Sequence, residues 1–372
     1  MSALLHALTW AARLRTLWAL LLALALGAAL IALSGASPWQ AYRALFAGAF
    51  LDYWGFASTL VKTSPILLAA LAVAVPLRAG LFNIGAEGQI YAGALLATLA
   101  GLYLPQLPAG LGLAAVMLAA MAGGALWAAI PGYLKAYRGV NEVIVTLLMN
   151  FVAIQMVSYA VSGPLLAQGA PYPYSEELSE TLRLPIILPQ TDAHAGVLLG
   201  LGLALALHLH FRYTAHGHAL DLVGRNAQAA LYAGVAVKRQ LLVAMMGGGA
   251  LAGLAGGLEV LGLKYRLFHL FSPGYGFDGI VVAFMAAANM AWLPVAALLM
   301  SGLKAAANGM QRAAGIEGTV VDAIQGLIVI FVAASQRFSV QRLRAGLGLS
   351  KLKQKAFLPA STPSATPTRE IA

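Results

Sequence analysis

The sequence predicts an all-α, polytopic membrane protein with about ten transmembrane helices. Of the 372 residues, 60% are hydrophobic and only 10% are charged, whereas roughly a quarter of the residues of a soluble domain are charged. Many apolar runs approach the roughly 20 residues that a helix needs to cross a bilayer. Lysine and arginine fall mostly between alternate runs and in the C-terminal tail, which is the pattern of the positive-inside rule.

The composition also excludes several classes of function. The net charge of +10 could suggest nucleic acid in a soluble protein, but here the basic residues flank apolar runs, so no nucleic-acid partner is predicted. There are no cysteines, which removes disulfides, thiolate catalysis and cysteine-based metal sites. The sequence contains no P-loop, no nucleophile elbow and no zincin motif. It therefore predicts neither an ATPase nor a membrane hydrolase, and no cofactor.

The N-terminal part predicts a cytoplasmic end and an uncleaved first span. Residues 1–16 are basic just before the apolar run 17–34, which places them inside. This start resembles a signal peptide, but no small-residue cleavage site ends the run. Residues 35–57 are then external, and their aromatic residues suit a membrane interface.

The remaining spans follow from the other apolar runs, with Pro131-Gly132 expected to end the fourth. The first of two short runs near the C-terminus cannot cross a bilayer alone, which predicts a broken or tilted helix. The predicted runs are 57–76, 88–104, 110–130, 143–162, 195–211, 241–262, the short pieces 278–290 and 292–307, and 318–335.

The segments between these runs fit a transmembrane domain over residues 17–335. Residues 163–194 are the longest predicted external segment and are acidic, whereas residues 212–239 are polar and predicted to be cytoplasmic and partly helical. The tail, residues 336–372, is basic and so also cytoplasmic. Its Ser/Thr/Pro-rich end predicts disorder, and its charges would hold it near anionic lipid.

One stretch between two long apolar runs, Leu81-Phe-Asn-Ile-Gly-Ala-Glu-Gly-Gln89, concentrates polar groups. Polar residues within a membrane are costly and usually functional, and glycines allow close backbone approach. One interpretation is a broken helix that lines a polar pathway. The other is a short loop whose Asn83 caps the next helix and whose Glu87 favours the positive end of that helix.

The fifth span also carries polar residues. Asn141 and Glu142 open it, either as an N-cap and a dipole partner or as part of a pathway. Thr146, Asn150 and Gln155 interrupt its apolar surface.

The seventh span is rich in glycine. Gly249, Gly253 and Gly257 have the GxxxG spacing that lets another helix approach closely. Glu259, near its external end, either contacts the pathway or pairs with Lys264 or Arg266.

A second polar helix start follows at Asp278, after Gly-Tyr-Gly-Phe. It repeats the pattern of residues 82–89, which suggests two weakly related halves. His208 and His210 point to different helix faces, so a position at the membrane edge is favoured over a metal site. Residues 224–235 predict a short helix with small residues on one face, which either docks on another protein or is a surface helix between spans.

Four motifs in this order carry a family resemblance: residues 81–89, Asn-Glu-Val-Ile-Val-Thr at 141–146, Gly-Arg-Asn at 224–226 with Ala-Gly at 233–234, and Gly-Phe-Asp-Gly-Ile at 276–280. The chain resembles a permease subunit of bacterial ABC importers of the branched-chain amino acid/simple sugar superfamily, most closely its nucleoside branch. The resemblance covers roughly residues 15–335. Ala-Ala-Asn at 287–289 departs from it, because a Leu-Gly type of pair is expected there.

The resemblance implies a type II importer fold in the bacterial inner membrane, with both termini cytoplasmic. It implies a second permease subunit in a heterodimer, a separate ATPase and an extracytoplasmic substrate-binding lipoprotein, with a nucleoside or simple sugar as cargo. The implied ATPase-coupling residues are Gly224, Arg225, Asn226, Ala233 and Gly234. The implied pathway candidates are Asn83, Glu87, Gln89, Asn141, Asn150, Glu259 and Asp278.

Two other functions stay open from the residues. An ion-driven secondary transporter could use Glu87, Glu259 or Asp278 as its coupling carboxylate. A membrane-embedded enzyme or scaffold is the third possibility.

Overall fold

The computed structural model describes residues 15–104, 107–315 and 318–337. In this part the chain is helical and has no β-strand, only two isolated bridges, which confirms the all-α prediction. The predictions for most of the N-terminus and for nearly all of the basic tail lie outside the described residues.

Most of the helices follow one another through short connections, and residues 163–195 form a long one. Two π-helical turns, at Ala47–Leu51 and Val260–Lys264, extend helices. The α-helices are α1 Arg15–Leu33, α2 Pro38–Phe46, α3 Tyr53–Arg78, α4 Ala86–Tyr103, α5 Ala109–Arg138, α6 Glu142–Ser162, α7 Gly196–Tyr213, α8 Ala215–Arg225, α9 Ala227–Tyr232, α10 Val237–Glu259, α11 Tyr275–Met285, α12 Leu293–Ala314 and α13 Gly318–Arg337.

Five described helical segments are long and apolar enough to cross a membrane, and three shorter apolar helices accompany them. The chain is therefore a multi-pass membrane protein. The five are Tyr53–Arg78, Gly110–Arg138, Glu142–Ser162, Gly196–Tyr213 and Val237–Lys264. The shorter ones are Trp18–Leu33, Tyr275–Met285 and Leu293–Ala307.

Helix α3 is the centre of the structure. Asp52 caps its first turn by accepting a hydrogen bond from the Gly55 N–H at 2.8 Å, and every residue from Ser64 to Pro76 is buried. Helices α10, α11 and α12 all pack against it. Because α3 is apolar on all sides, it can be surrounded in this way.

Glycines bring α10 into backbone contact with its neighbours, as the GxxxG spacing predicts. A methyl group built on Gly253 would lie 2.2 Å from the Ala120 carbonyl oxygen of α5. One built on Gly256 would lie 2.0 Å from the Ile90 carbonyl oxygen of α4. Neither position has room for a side chain, so these glycines set the distance between the helices.

The structure corrects one sequence prediction. Pro131 does not end the fourth span, because α5 continues to Arg138, where Gly139 terminates it with a left-handed φ of 70°. Neighbouring helices can compensate for a proline within a membrane helix. Residues 35–57 contain α2 and the start of α3, and their external position stays a prediction.

Helix α11 is the short helix that the sequence predicts. It has 11 residues, and the chain then turns through Ala287 and Ala288, with φ of 48° and 53°. These are left-handed conformations that favour glycine. The departure from the expected Leu-Gly pair therefore coincides with a strained turn.

We expect Gly253→Ala to destabilise the protein and Gly247→Ala to stabilise it. Overpacking of the α5 contact should cost about 1–3 kcal/mol. The nearest atom to a methyl group on Gly247 is Val75 Cγ1 at 4.0 Å, so that substitution should gain about 0.5–1 kcal/mol of helix propensity. Thermal unfolding of both variants in detergent measures the difference, and equal effects would contradict the tight α5–α10 contact.

Candidate functional site

The stretch after α3 folds back into the protein core. The Leu81 N–H donates to the Pro76 carbonyl at 3.0 Å, and the Asn83 amide donates to the Ala72 carbonyl at 3.2 Å. Six residues of helix separate Ala72 from Arg78, which is about 9 Å. Helix α4 therefore begins well inside the end of α3, at a depth where Asn83 is fully buried.

Buried amides hold this return in place. Asn83 and Gln89 exchange two hydrogen bonds, of 2.9 Å and 3.0 Å, and Asn83 Oδ1 also accepts from the Gly85 N–H at 3.0 Å. Asn150 of α6 accepts from the Gly88 N–H at 2.8 Å and donates to the Ile84 carbonyl at 3.0 Å. Asn83 therefore does not act as a simple N-cap. These amides satisfy one another and the first turn of α4.

Glu87 connects the starts of two helices, α4 and α11. Its Oε2 accepts from the Gly276 N–H at 2.7 Å, and a methyl group on Gly276 would lie 2.2 Å from the Glu87 nitrogen. Both helices begin at a glycine N-cap, Gly85 and Gly274. The carboxylate thus lies where two positive helix ends meet, an arrangement that stabilises a negative charge.

Two other acidic residues of the site form ion pairs. Asp278 forms an ion pair with Lys304, which ties α11 to α12. Glu142 pairs with Lys135 at 2.8 Å and accepts from the Phe82 N–H at 3.4 Å. These two carboxylates connect helices.

Glu259 and Asn141 lie apart from the buried amides. Glu259 is buried, and neither of its carboxylate oxygens has a hydrogen-bond partner among the described residues. Of the two alternatives for Glu259, an ion pair with Lys264 or Arg266 is not found among the described residues, where Arg266 pairs with Glu177. Asn141 is exposed and caps α6 by accepting from the Val143 N–H at 2.9 Å.

The segment before α7 packs on residues 265–269 and carries its own ion pairs. Glu177 bridges Arg183, at 2.8 Å, and Arg266. His194 is buried, and burial lowers the pKa of its imidazole to about 4. The ring is therefore neutral at pH 7, and its Nδ1 accepts from the Gly196 N–H at 3.2 Å.

Among the four histidines between residues 208 and 218, two lie in close contact. His210 Nε2 and His216 Nδ1 lie 3.0 Å apart. No group of three or more potential metal ligands is found among the described residues.

Residues 224–235 form an exposed segment on the side of the structure where α3 ends. Asn226 caps α9 by accepting from the Gln228 and Ala229 N–H groups, both at 3.0 Å, and Gly234 ends α9 with a φ of 80°. Leu231 is 65% exposed and Tyr232 is 89% exposed. The exposed face is therefore apolar and aromatic as well as small.

The base of this segment is fixed to the end of α3. Arg78 Nε donates to Asp221 Oδ1 at 2.6 Å, and the Arg78 guanidinium lies over the Phe211 ring. A methyl group on Gly224 would lie 2.1 Å from the Arg78 carbonyl oxygen. The segment and the returning loop are thus joined directly.

The sequence prediction recognises Gln155 as a polar residue on α6 but misses the polar surface to which it belongs. Gln155, Ser158, Tyr159 and Ser162 recur with helical spacing along an apolar span, and with His269 they line a shallow surface depression of about 410 Å³. Ser158 Oγ lies 2.7 Å from His269 Nδ1. The i, i+3, i+4, i+7 spacing was a usable signal.

Comparison with known proteins gives one family and several relatives. A family model described as the permease component of branched-chain amino acid transport systems matches residues 55–333. The guanosine ABC transporter permease protein NupP of Bacillus subtilis is 37% identical over 88% of this chain and 95% of its own length. The glucose ABC transporter permease protein TsgB13 of Haloferax volcanii is 35% identical over 87% of each chain.

A second Bacillus subtilis protein also matches, the guanosine ABC transporter permease protein NupQ, at 27% identity over 65% of this chain and 76% of its own length. No solved structure matches. These findings confirm the resemblance that the four motifs indicate, and they give no support to a secondary transporter.

We expect Asn83→Ala to destabilise the protein by about 3 kcal/mol or more, because several buried partners would lose their hydrogen bonds. Asn141→Ala removes only an exposed cap and should cost about 1 kcal/mol. Thermal unfolding in detergent compares the two variants. An Asn83→Ala loss no greater than that of Asn141→Ala would contradict the structural role of the buried amides.

Proposed function

Because the chain belongs to the family of permease components of branched-chain amino acid transport systems, we propose that it forms one half of the membrane passage of an importer for nucleosides or simple sugars. A permease component is a transport subunit, so ATP hydrolysis takes place on another chain. The relatives' guanosine and glucose support an uncharged, hydrogen-bonding cargo. The substrate assignment to this chain is our proposal.

The proposed assembly contains a second permease, a two-domain or paired ATPase and an extracytoplasmic binding lipoprotein in the bacterial inner membrane. Two Bacillus subtilis guanosine permease proteins resemble this chain, which supports a heterodimer of related permeases. We assign the chain the type II importer fold with ten membrane segments, formed by α1, α3–α7 and α10–α13. Both termini are placed in the cytoplasm, because basic residues flank the corresponding ends.

The observation that carries the coupling proposal is the contact between residues 224–235 and the end of α3. Exposed Leu231 and Tyr232 offer an apolar, aromatic surface for docking, of the kind enriched at interfaces. Asp221 and Gly224, at the end of α8, fix this part of the chain to Arg78 at the end of α3. We therefore assign Gly224, Arg225, Asn226, Ala233 and Gly234 to the segment that docks on the ATPase.

Movement of residues 224–235 would act directly on the helices of the membrane domain. Arg78 is followed within five residues by Asn83, which holds the start of α4, and Glu87 of α4 holds the start of α11. A shift of α8 would therefore displace two helix starts together. We assign Asn83, Glu87, Gln89 and Asn150 to this transmission, with Asp278 extending it to α12 through Lys304.

The polar stripe on α6 is the surface we assign to the partner permease. Polar side chains on a span face protein or water in preference to lipid. Gln155, Ser158 and Tyr159 would then border the passage between the two subunits. Asn141 is left with its capping role, and Glu259 as a buried carboxylate beside the outer end of α10.

We expect Tyr232→Asp to remove the ATPase from the complex. An exposed tyrosine at the centre of an interface commonly contributes about 2 kcal/mol, which corresponds to about thirtyfold weaker binding. The measurement is the amount of ATPase that co-purifies with the chain in mild detergent.

The matched control is Tyr172→Asp, since Tyr172 is 73% exposed but lies in the segment before α7. It should leave the ATPase bound, and both variants should keep the unfolding temperature of the native chain. Undiminished ATPase in the Tyr232→Asp preparation would contradict the coupling assignment.

A further inference from the structure

Lys62 is a charged residue within α3, and the proposed function does not use it. Lys304 of α12, by contrast, forms an ion pair with Asp278. Lys62 forms no ion pair or hydrogen bond with the residues that the structure describes. Placing an unpaired ammonium group in a membrane span is costly, and such residues usually mark a functional site.

Lys62 lines a half-enclosed cavity of about 270 Å³ at the outer end of α3. This volume approaches the lower end of the range for small-molecule sites, about 300 Å³. The cavity lies between α3, the loop before α7 and the start of α11. Its polar and aromatic lining comes from Trp54, Ser58, Lys62, Gln190, Asp192 and Tyr275.

Several hydrogen-bond donors of this lining have no partner among the described residues, and Lys62 and Tyr275 supply two of them. The Lys62 ammonium forms no ion pair or hydrogen bond there. No hydrogen bond joins the Tyr275 hydroxyl to a described residue, although the residue is only 4% exposed. Donors that are left free in a largely buried place are suited to bind the acceptor atoms of a ligand.

The rim of the cavity is strained and aromatic. Gln190 has a φ of 58°, a left-handed conformation that is uncommon for glutamine and that clusters at functional sites. Trp54 is 57% exposed at the same cavity. Its indole offers a flat surface on which a ring can stack.

Charged groups of both signs surround the cavity. Lys264, Lys304, Glu259 and Asp278 interact electrostatically with Lys62, and Asp192 belongs to the lining. Lys304 and Asp278 already form an ion pair. The surroundings therefore offer no single sign of charge that would select an ionic solute.

We propose that this cavity is a receiving site for an uncharged ring-shaped solute that is rich in hydrogen-bond acceptors. Lys62 and Tyr275 donate hydrogen bonds to it, and Trp54 stacks on its ring. The inference rests on the proposed function, because a nucleoside and a sugar share this chemistry. It adds to that function a solute site within this subunit, on its outer side.

The test is equilibrium binding of radiolabelled guanosine and of radiolabelled glucose to the purified permease–ATPase complex in nanodiscs, without the binding protein. We expect saturable binding of one of the two. Guanosine binding alone would identify a nucleoside site, and glucose binding alone would identify a sugar site. Lys62→Met should weaken binding of that solute about tenfold or more, since hydrogen bonds to charged groups contribute about 1.5–3 kcal/mol.

Three further variants separate binding from folding. Tyr275→Phe removes one hydroxyl and should weaken binding less than Lys62→Met, and Lys62→Arg should restore a donor and part of the affinity. Lys238→Met removes an exposed lysine on the opposite side of the structure and should change nothing. The ATPase rate of each complex reports whether the assembly is intact.

Unchanged binding in Lys62→Met would overturn the receiving site. So would the absence of binding to a wild-type complex that, with its binding protein, takes up either solute on addition of ATP. In both cases the proposed function stands. Failure of the wild-type importer to take up either solute, with ATP hydrolysis intact, would instead contradict the proposed cargo.

Discussion

The buried Asn83 amide holds the chain where it turns back into the core after α3. Its side chain makes four hydrogen bonds, two with Gln89, one to the Ala72 carbonyl and one from the Gly85 N–H, and these allow α4 to begin inside the membrane region. Unsatisfied backbone groups at that depth would each cost several kcal/mol, so the loop requires such partners. The remaining contacts of the site follow from this position of the α4 start.

Two helix starts meet because α4 and α11 both begin in the interior. Gly276 has no side chain, and this lets its backbone touch that of Glu87. The Glu87 carboxylate bridges the two positive helix ends. On one side this junction is connected to Lys304 through Asp278, and on the other to Arg78 through the returning loop. A displacement at the surface segment 224–235 can therefore reach several helices through a short series of contacts.

The fold class and the close packing of α10 could be predicted from the sequence, because composition and GxxxG spacing depend on local patterns. The role of Asn83 could not. Its amide is polar and lies between two spans, and both a pathway residue and a helix cap fit that description; only the three-dimensional position of Ala72 and Gln89 shows which groups it satisfies. Pro131 misled the prediction for a related reason, since a proline ends a helix in water but is tolerated among neighbouring helices. Ser158 and His269 belong to distant parts of the chain, and no local pattern indicates that they meet.

We propose that the ion pair between Arg78 and Asp221 transmits the motion of the ATPase to the buried helix starts. The most direct measurement is the ratio of solute taken up to ATP hydrolysed by the reconstituted importer carrying Asp221→Asn, with Asp221→Glu as the conservative variant. We expect continued ATP hydrolysis, a strongly reduced uptake ratio in Asp221→Asn and partial recovery in Asp221→Glu. An unchanged ratio in Asp221→Asn would contradict the proposal.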